Sequence, residues 1–395
     1  MSTVHLPKTI IAENGSFNQI RKVMHLLGIQ KPFIVMDSFL TKPPIQLKEQ
    51  LQNQLKDPFL RPTFFSDFSG EPNTLHVQSA LELLKSSDCD GVVAVGGGSA
   101  IDLSKAVSLF GKNKGFSWED IESAIRLERL PLIAVPTTAG TGSEATGIMV
   151  ITDTQKGIKM NPKHSALIPD VAILDPQLTI SLPKAFTSFT GMDALTHAIE
   201  AYLSNRATAM SDFYALKAIE MIRDGLPNVM EDGKNIRARE KMIVASCYAG
   251  IAFNNSSTNL AHAAGRALGA RFHIPHGLSV ALLLPFVMEF SLASCSKRLQ
   301  KIASLLSGRR ENEVEPEQAI RIIENYNEQF GIWEAGQNYL NKHDQVQKAI
   351  PLLIEDALSG NGILTNRQVP AREDIEQIYL SLLEKLGEMK TVSNV

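Results

Sequence analysis

Four side chains able to hold a divalent cation stand in two stretches of the chain. In GMDALTHAIEAY (191–202), Asp193 and His197 are four residues apart in a mostly apolar segment of helical spacing, which puts both on one helix face. In NLAHAAGRALGARFHIPHG (259–277), His262 lies in a helical segment, and His276 follows between Pro275 and Gly277. One carboxylate and three imidazoles make a hard-to-borderline donor set that suits Zn²⁺ or Fe²⁺. Spacing alone leaves plainer readings open. A histidine on an apolar face is commonly a hydrogen-bonded core residue, and Asp193 would equally serve as a helix cap or as the partner of a basic side chain.

A second chemistry is written in two glycine-rich loops. VVAVGGGSAIDLSK (92–105) runs from an apolar strand-like stretch through Gly96, Gly97 and Gly98 into a helix that opens with Ser99. Consecutive glycines let backbone N–H groups approach a phosphate, and the following helix N-terminus adds partial positive charge, so the segment reads as a pyrophosphate cradle. It is neither a Walker loop nor a full GxGxxG fingerprint, because Ile101 takes the place of the third glycine. The alternative is a capping box of Ser99 and Asp102 at a tight strand-to-helix turn. VPTTAGTGSEAT (135–146) also follows a strand-like stretch and offers hydroxyls and amides to a polar ligand. Loops that leave neighbouring strands of one parallel sheet face the same end, which strengthens both. Asp37, just after PFIVM (32–36), stands where an acidic residue accepts from a ribose hydroxyl and repels a 2′-phosphate; an exposed loop Asp would look the same in sequence.

These residues need a scaffold, and its pattern changes near residue 183. Before it, PFIVM (32–36), GVVAVGGG (91–98), LPLIAVP (130–136) and DVAILDP (170–176) read as strands buried on both faces, with helices between them at 74–87 and 99–111. After it come only long periodic segments, at 187–204, 208–223, 235–253, 258–271, 277–306, 315–329, 345–358 and 371–387. The predicted architecture is an α/β Rossmann-like dinucleotide-binding domain over residues 1–183, and an all-helical metal- and substrate-binding domain over 184–395, with a cleft between them.

Composition narrows the partners. A formal net charge of -3 over 395 residues, with charged residues at 21% and dispersed, gives no basic field for nucleic acid. The expected partners are small molecules, with no nucleic acid and no membrane. Cys89, Cys247 and Cys295 form no CxxC pair, which argues against a disulfide framework and fits a reducing cytoplasm. The N-terminal residues lack a signal-peptide pattern, so a cytoplasmic enzyme is expected. GLSVALLLPFVMEFSL (277–292) is interrupted by Pro285 and Glu289, falls short of a membrane span, and reads as a buried helix pair.

Together these stretches resemble the iron-containing (group III) alcohol dehydrogenase family, within the dehydroquinate synthase-like fold. The carriers are GGGSAIDLSKA (96–106), PTTAGTGSEAT (136–146), KMNPKHSALIPDVAILDP (159–176), TGMDALTHAIEAY (190–202), HAAGRALGARFHIPHG (262–277) and ILTNRQVPAREDIEQIY (363–379). The resemblance spans most of the chain. It implies Asp193, His197, His262 and His276 as ligands of Fe²⁺, or alternatively Zn²⁺. It implies Gly96, Gly97, Gly98 and Ser99 as the pyrophosphate loop of NAD(H), Asp102 near the nicotinamide, Thr137, Thr138 and Thr141 along the nucleotide, Lys159 near its ribose, and Asp37 as the residue favouring NAD over NADP. A homodimer or larger homo-oligomer is also implied.

One departure stands out. The family commonly carries a further histidine four residues after the third ligand, and this chain has Arg266 there. A guanidinium is a poor proton-transfer group but a good partner for carboxylate, phosphonate or sulfonate. The expectation is a metal-dependent NAD(H)-linked alcohol dehydrogenase or aldehyde reductase, with Arg266 binding an anionic tail; the plainer reading makes Arg266 a structural ion pair. His273 is a second candidate near the chemistry, for proton delivery, against a structural role. The rival function is a lyase or cyclase of dehydroquinate synthase type that also uses NAD and a divalent metal. Such an enzyme must grip a phosphorylated, polyhydroxylated substrate, and 262–276 offers only Arg266 and Arg271.

Overall fold

The computed structural model describes residues 3–113 and 115–392. The chain divides into two compact units, one of His5–Leu182 and one of Pro183–Val395 together with Met1–Val4. In the first, β1 (Thr9–Ala12), α1 (Ile20–Leu26), β2 (Pro32–Met36), α2 (Leu47–Gln54), β3 (Thr63–Phe65), α3 (Thr74–Ser86), β4 (Gly91–Gly96), α4 (Gly98–Lys112), β5 (Leu132–Pro136), a short hairpin of β6 (Ile151–Asp153) and β7 (Ile158–Met160), and β8 (Val171–Leu174) follow in order. Six strands form one parallel sheet in the order β1-β8-β5-β4-β2-β3.

The sheet forms from these residues because its central strands have two apolar faces. Alternate side chains point opposite ways along a strand. Ile34, Met36, Val93, Val95, Ile133 and Val135 pack with α1 and α2 through Ile20, Met24, Leu47 and Leu51. Phe33, Val35, Val92 and Leu132 face the other way, against Val77, Leu84, Leu103 and Val107 of α3 and α4. The strand order moves one way through α1 and α2 and back through α3 and α4, which places the two helix pairs on opposite faces. The chain therefore leaves β2 and β4 in opposite directions although they are paired neighbours, Met36 beside Val95. Asp37 and the glycine run flank that divergence, the place where open α/β sheets bind ligands. Ala94 and Ala134 bring only methyl groups to Ile101 of α4, so the helix lies close on the sheet.

The second unit holds α5 (Lys184–Leu203), α6 (Ala209–Glu231), α7 (Ile236–Asn254), α8 (Leu260–Phe272), α9 (His276–Phe290), α10 (Leu292–Ser307), α11 (Glu317–Gln329), α12 (Ile332–Tyr339), α13 (His343–Leu358) and α14 (Arg372–Val392). No strand occurs there among the described residues. α5 is buried nearly all round and packs against α6, α7 and α9, as expected of a helix apolar on every side. The stretch 277–306 is two helices bent by 115° where α9 meets α10, and no single described helix is long and apolar enough to cross a membrane.

Two glycines set the spacing around α9. At Gly265 a Cβ would stand 2.6 Å from Val280 Cγ1 and 3.0 Å from its Cα, so α8 and α9 meet almost backbone to backbone. At Gly277 it would stand 2.3 Å from the carbonyl oxygen of Phe189 and 3.2 Å from Asp193 Cβ. The start of α9 is thereby held against α5 at the level of Asp193. Gly277→Ala forces those backbones apart and should cost about 1–3 kcal/mol, the usual range for overpacking. Urea unfolding of the metal-free chain measures it, and an unchanged midpoint would contradict the close approach.

Candidate functional site

α5 carries Asp193 and His197, α8 carries His262, and His276 is the first residue of α9. Asp193 Oδ1 lies 3.5 Å from His262 Nε2, 3.8 Å from His276 Nε2 and 3.7 Å from His197 Nδ1. The ligand atoms of Asp193, His262 and His276 are all within 4.8 Å of one another. His197 stands outside that group of three and lies beside it, its ring 4.2 Å from that of His262 and stacked 4.4 Å from Phe253. The Asp193 side chain is 3% exposed and that of His276 39%, so the cluster is closed on the protein side and open at one imidazole. An open position is what a catalytic metal site needs.

Two buried atoms in the cluster, Asp193 Oδ1 and His262 Nε2, have no hydrogen-bond partner and face one another. Buried polar atoms are rarely left so, and an ion is one of the standard remedies. A cation between them would satisfy both, so the donor set fits a divalent metal. Electrostatics agree. Burial would raise the Asp193 carboxyl, but the imidazoles of His197, His262 and His276 outweigh it and hold the group at about 2. Burial would likewise depress His262, yet the carboxylates of Glu200 and Asp193 push it up to about 9. The cluster attracts positive charge, and protons and metal compete for it.

In the first unit the two glycine-rich loops are fastened to each other. The N–H of Thr137 donates to the Gly96 carbonyl (2.9 Å). A Cβ on Gly98 would meet Thr141 Cγ2 at 2.8 Å, and one on Gly97 would meet Thr138 at 3.4 Å. Gly97 is the N-cap of α4 and contributes no side-chain cap, which leaves the N–H groups of the first turn to backbone and ligand. The hydroxyl of Thr137 is buried without a partner. An uncapped helix start beside an orphaned hydroxyl fits a bound phosphate. Ser99 and Asp102 form no capping box. Ser99 lies inside α4, and Asp102 turns away to accept from the Ser143 hydroxyl (2.5 Å) and the Val150 N–H (2.8 Å).

Residues not singled out in the sequence complete that fastening. Lys105 is fully buried, and its ammonium donates to Ser143 Oγ (2.8 Å), Thr146 Oγ1 (3.2 Å) and the Ile148 carbonyl (2.6 Å), with Asp102 Oδ1 at 3.5 Å. Glu144 is buried beside them, and burial raises its carboxyl to about 7 against the pull of Lys105. Three residues along α4 from Asp102, Lys105 is on the same helix face, which was the available signal; nothing in the sequence marks Glu144 as buried. In the second unit Glu200, inside the GMDALTHAIEAY stretch, was also passed over, and its carboxylate lies 2.6 Å from His262 Nδ1.

The other predicted residues have defined places. Asp37 is buried, not an exposed loop residue, and accepts from the Phe39 N–H (3.1 Å); burial raises its carboxyl, opposed by the N–H groups of Phe39 and Gly70. Lys159 lies on β7 with its ammonium 2.6 Å from Glu71. Arg266 is half-buried one turn after His262, and its Nε donates to the His262 carbonyl (3.2 Å). Among the described residues Arg266 forms no ion pair; burial weighs against its charge, with Glu200 the opposing influence. His273 is exposed and ends α8 in the left-handed region at φ +54°, a helix-stop geometry.

Comparison with known proteins gives the same picture. The iron-containing alcohol dehydrogenase profile matches residues 7–176, and the C-terminal profile of the Fe-containing alcohol dehydrogenase family matches 187–383. The chain is 33% identical over 389 residues to the NAD-dependent methanol dehydrogenase of Bacillus methanolicus, covering 97% of this chain and 100% of that protein. It is 40% identical over 314 residues to "Probable alcohol dehydrogenase EutG" of Escherichia coli (strain K12), covering 79% of each. The solved sulfoacetaldehyde reductase of Bifidobacterium kashiwanohense in complex with NAD+ superposes with a TM-score of 0.85 at 28% identity, over 97% of this chain and 99% of that one. The chain belongs to the iron-containing alcohol dehydrogenase family, with the dehydroquinate synthase-like fold, and is an oxidoreductase of the alcohol dehydrogenase class.

The buried Glu144 has a consequence for stability. Its folded-state pKa of about 7 lies above the ordinary 4.5, so the folded chain binds the extra proton and loses stability as pH rises from about 4.5 to about 7. The shift corresponds to roughly 3 kcal/mol as an order of magnitude. Glu144→Gln removes the charge, so relative to wild type its urea midpoint should climb across that window and level off above it. Parallel midpoint curves for the two proteins would contradict a buried neutral Glu144.

Proposed function

We propose that the protein is an NAD(H)-linked, iron-dependent alcohol dehydrogenase and aldehyde reductase whose substrate carries an anionic tail bound by Arg266. The observation that carries the reading is the pair of orphaned buried atoms, Asp193 Oδ1 and His262 Nε2, facing each other inside a ring of imidazoles. Asp193, His197, His262 and His276 hold the metal in this reading, with zinc as the alternative since the donor set accepts either. A divalent cation there supplies Lewis acidity toward a substrate oxygen, and reduced nicotinamide supplies the hydride.

The chain's own residues bind, orient and neutralise. Asp193 contributes a carboxylate that stays ionised throughout the neutral range. Gly96, Gly97, Gly98 and Ser99 offer the N–H groups of the α4 start to the pyrophosphate, and Thr137, Thr138 and Thr141 line the nucleotide. Asp102 anchors the second loop by which the nicotinamide is positioned, through Ser143 and Val150. Asp37 disfavours a 2′-phosphate and so selects NAD over NADP. Lys159 exchanges Glu71 for a ribose hydroxyl. His273 acts as the stop of α8, and no proton step is assigned to it. The protein works in the cytoplasm as a homodimer or larger assembly.

Arg266 supports the anionic tail because it lies one helical turn beyond His262 and, although Glu200 is within electrostatic reach, forms no ion pair among the described residues. The structural ion pair that would otherwise explain it is absent among the described residues. The relative solved with NAD+ is named for an aldehyde bearing a sulfonate. A charge-assisted hydrogen bond contributes about 1.5–3 kcal/mol, or about 10- to 100-fold in kcat/KM. Loaded anaerobically with Fe²⁺, the protein should consume NADH with aldehydes, whereas a lyase would return the cofactor unchanged. Arg266→Gln should lower kcat/KM for carboxylate- and sulfonate-bearing aldehydes by about that factor and leave neutral aldehydes largely unaffected. Equal losses on both classes would remove the anionic-tail reading.

A further inference from the structure

Glu200 is 2% exposed and sits on α5 seven residues after Asp193, on the same helix face as the proposed ligands. Among the described residues, the donors to its carboxylate come from the start of α8 and its N-cap. Oε1 accepts from the Ala261 N–H (2.6 Å) and the His262 N–H (3.4 Å). Oε2 accepts from the Asn259 N–H (2.9 Å) and lies 2.6 Å from His262 Nδ1. The N-cap residue of α8, Asn259, makes no side-chain cap and instead donates its Nδ2 to the Glu200 main-chain carbonyl (2.7 Å). A carboxylate from a neighbouring helix thus takes the place of the usual local cap.

This contact fixes the chemistry of His262. A carboxylate oxygen only accepts, so in the neutral ring, the form that binds a cation, Nδ1 keeps the proton and the lone pair belongs to Nε2. Nε2 is the orphaned atom that faces Asp193. We infer that Glu200 is a positioning residue: one carboxylate caps α8 and sets both the tautomer and the ring direction of His262 toward the cation. The inference rests on the metal-site reading above. Carboxylates that brace a ligand histidine typically contribute 10- to 100-fold in metal affinity.

The test uses Co²⁺ as a spectroscopic probe, titrated into the full-length metal-free protein against a competing chelator. Glu200→Gln, whose amide cannot satisfy the same four donors, should weaken Co²⁺ binding about 10- to 100-fold. In ¹⁵N-histidine spectra of the metal-free protein, taken at alkaline pH where the His262 ring is neutral, the Nδ1-protonated signature should be present in wild type and lost in the variant. Asn259→Ala loosens the α5 to α8 junction without touching the imidazole, so it should lower the melting temperature while keeping Co²⁺ affinity near wild type. Should Glu200→Gln not fold, Glu200→Asp, which withdraws the carboxylate by one methylene, is measured in the same way with the same expectation. Wild-type affinity in the Glu200 variant, or an equal loss in Asn259→Ala, would overturn the inference. The metal-site reading fails separately, if wild type takes up no Co²⁺ or if Asp193→Asn binds it as well as wild type does.

Discussion

A carboxylate buried at 3% exposure inside a helical unit is tolerable only with compensating positive charge, and at Asp193 everything nearby is arranged to provide it. Three imidazoles surround it from α5, α8 and α9, and they hold it ionised in spite of burial. Helix packing serves that arrangement. Gly277 lets the start of α9 touch the Phe189 carbonyl, and Gly265 lets α8 and α9 cross at backbone distance. Larger residues at either place would move an imidazole away from Asp193, and the buried charge would lose its support.

In the proposed reading the first unit meets a different constraint, since a dinucleotide phosphate needs exposed backbone N–H groups held rigid. The sheet provides rigidity by burying β2, β4 and β5 on both faces, and small side chains at Ala94 and Ala134 bring α4 down onto it. The buried ion pair of Asp102 and Lys105, with Ser143 between them, then ties the second loop to α4. Buried polar networks are costly unless every donor is used, and Lys105 has three acceptors.

Much of this was legible in the amino-acid order. Strands β2, β4, β5 and β8 stood out as short apolar runs because they are covered on both sides. The long helices of the second unit stood out by their period. Elements with weaker patterns were not anticipated: β1 is half-exposed at the sheet edge, β3 has three residues at the other edge, and β6 and β7 form a small hairpin. The short helices α1, α2 and α12 carry too few turns to show a period. A helix pair was expected in 277–292, but its break was misplaced: Pro285 and Glu289 lie inside α9, and the bend comes after Phe290, where apolar residues continue through it. At the site, the four-residue step made Asp193 and His197 visible, but the approach of His262 and His276 is a tertiary contact with no local signature. Glu200 escaped notice because a glutamate on an apolar helix reads as a surface residue until its four donors, all from another helix, are seen. The alternative reading of Asp102 as a cap came from Ser99 preceding it at the right spacing, yet its partners lie some forty residues further along the chain.

The central claim is that one divalent cation sits between Asp193, His262 and His276, with His197 beside them. Crystals grown anaerobically from iron-loaded protein, with diffraction collected on either side of the iron absorption edge, test it directly. The account predicts a single strong anomalous peak per chain within bonding distance of Asp193 Oδ1 and His262 Nε2. A peak elsewhere, or none in protein that assays as iron-replete, would contradict it.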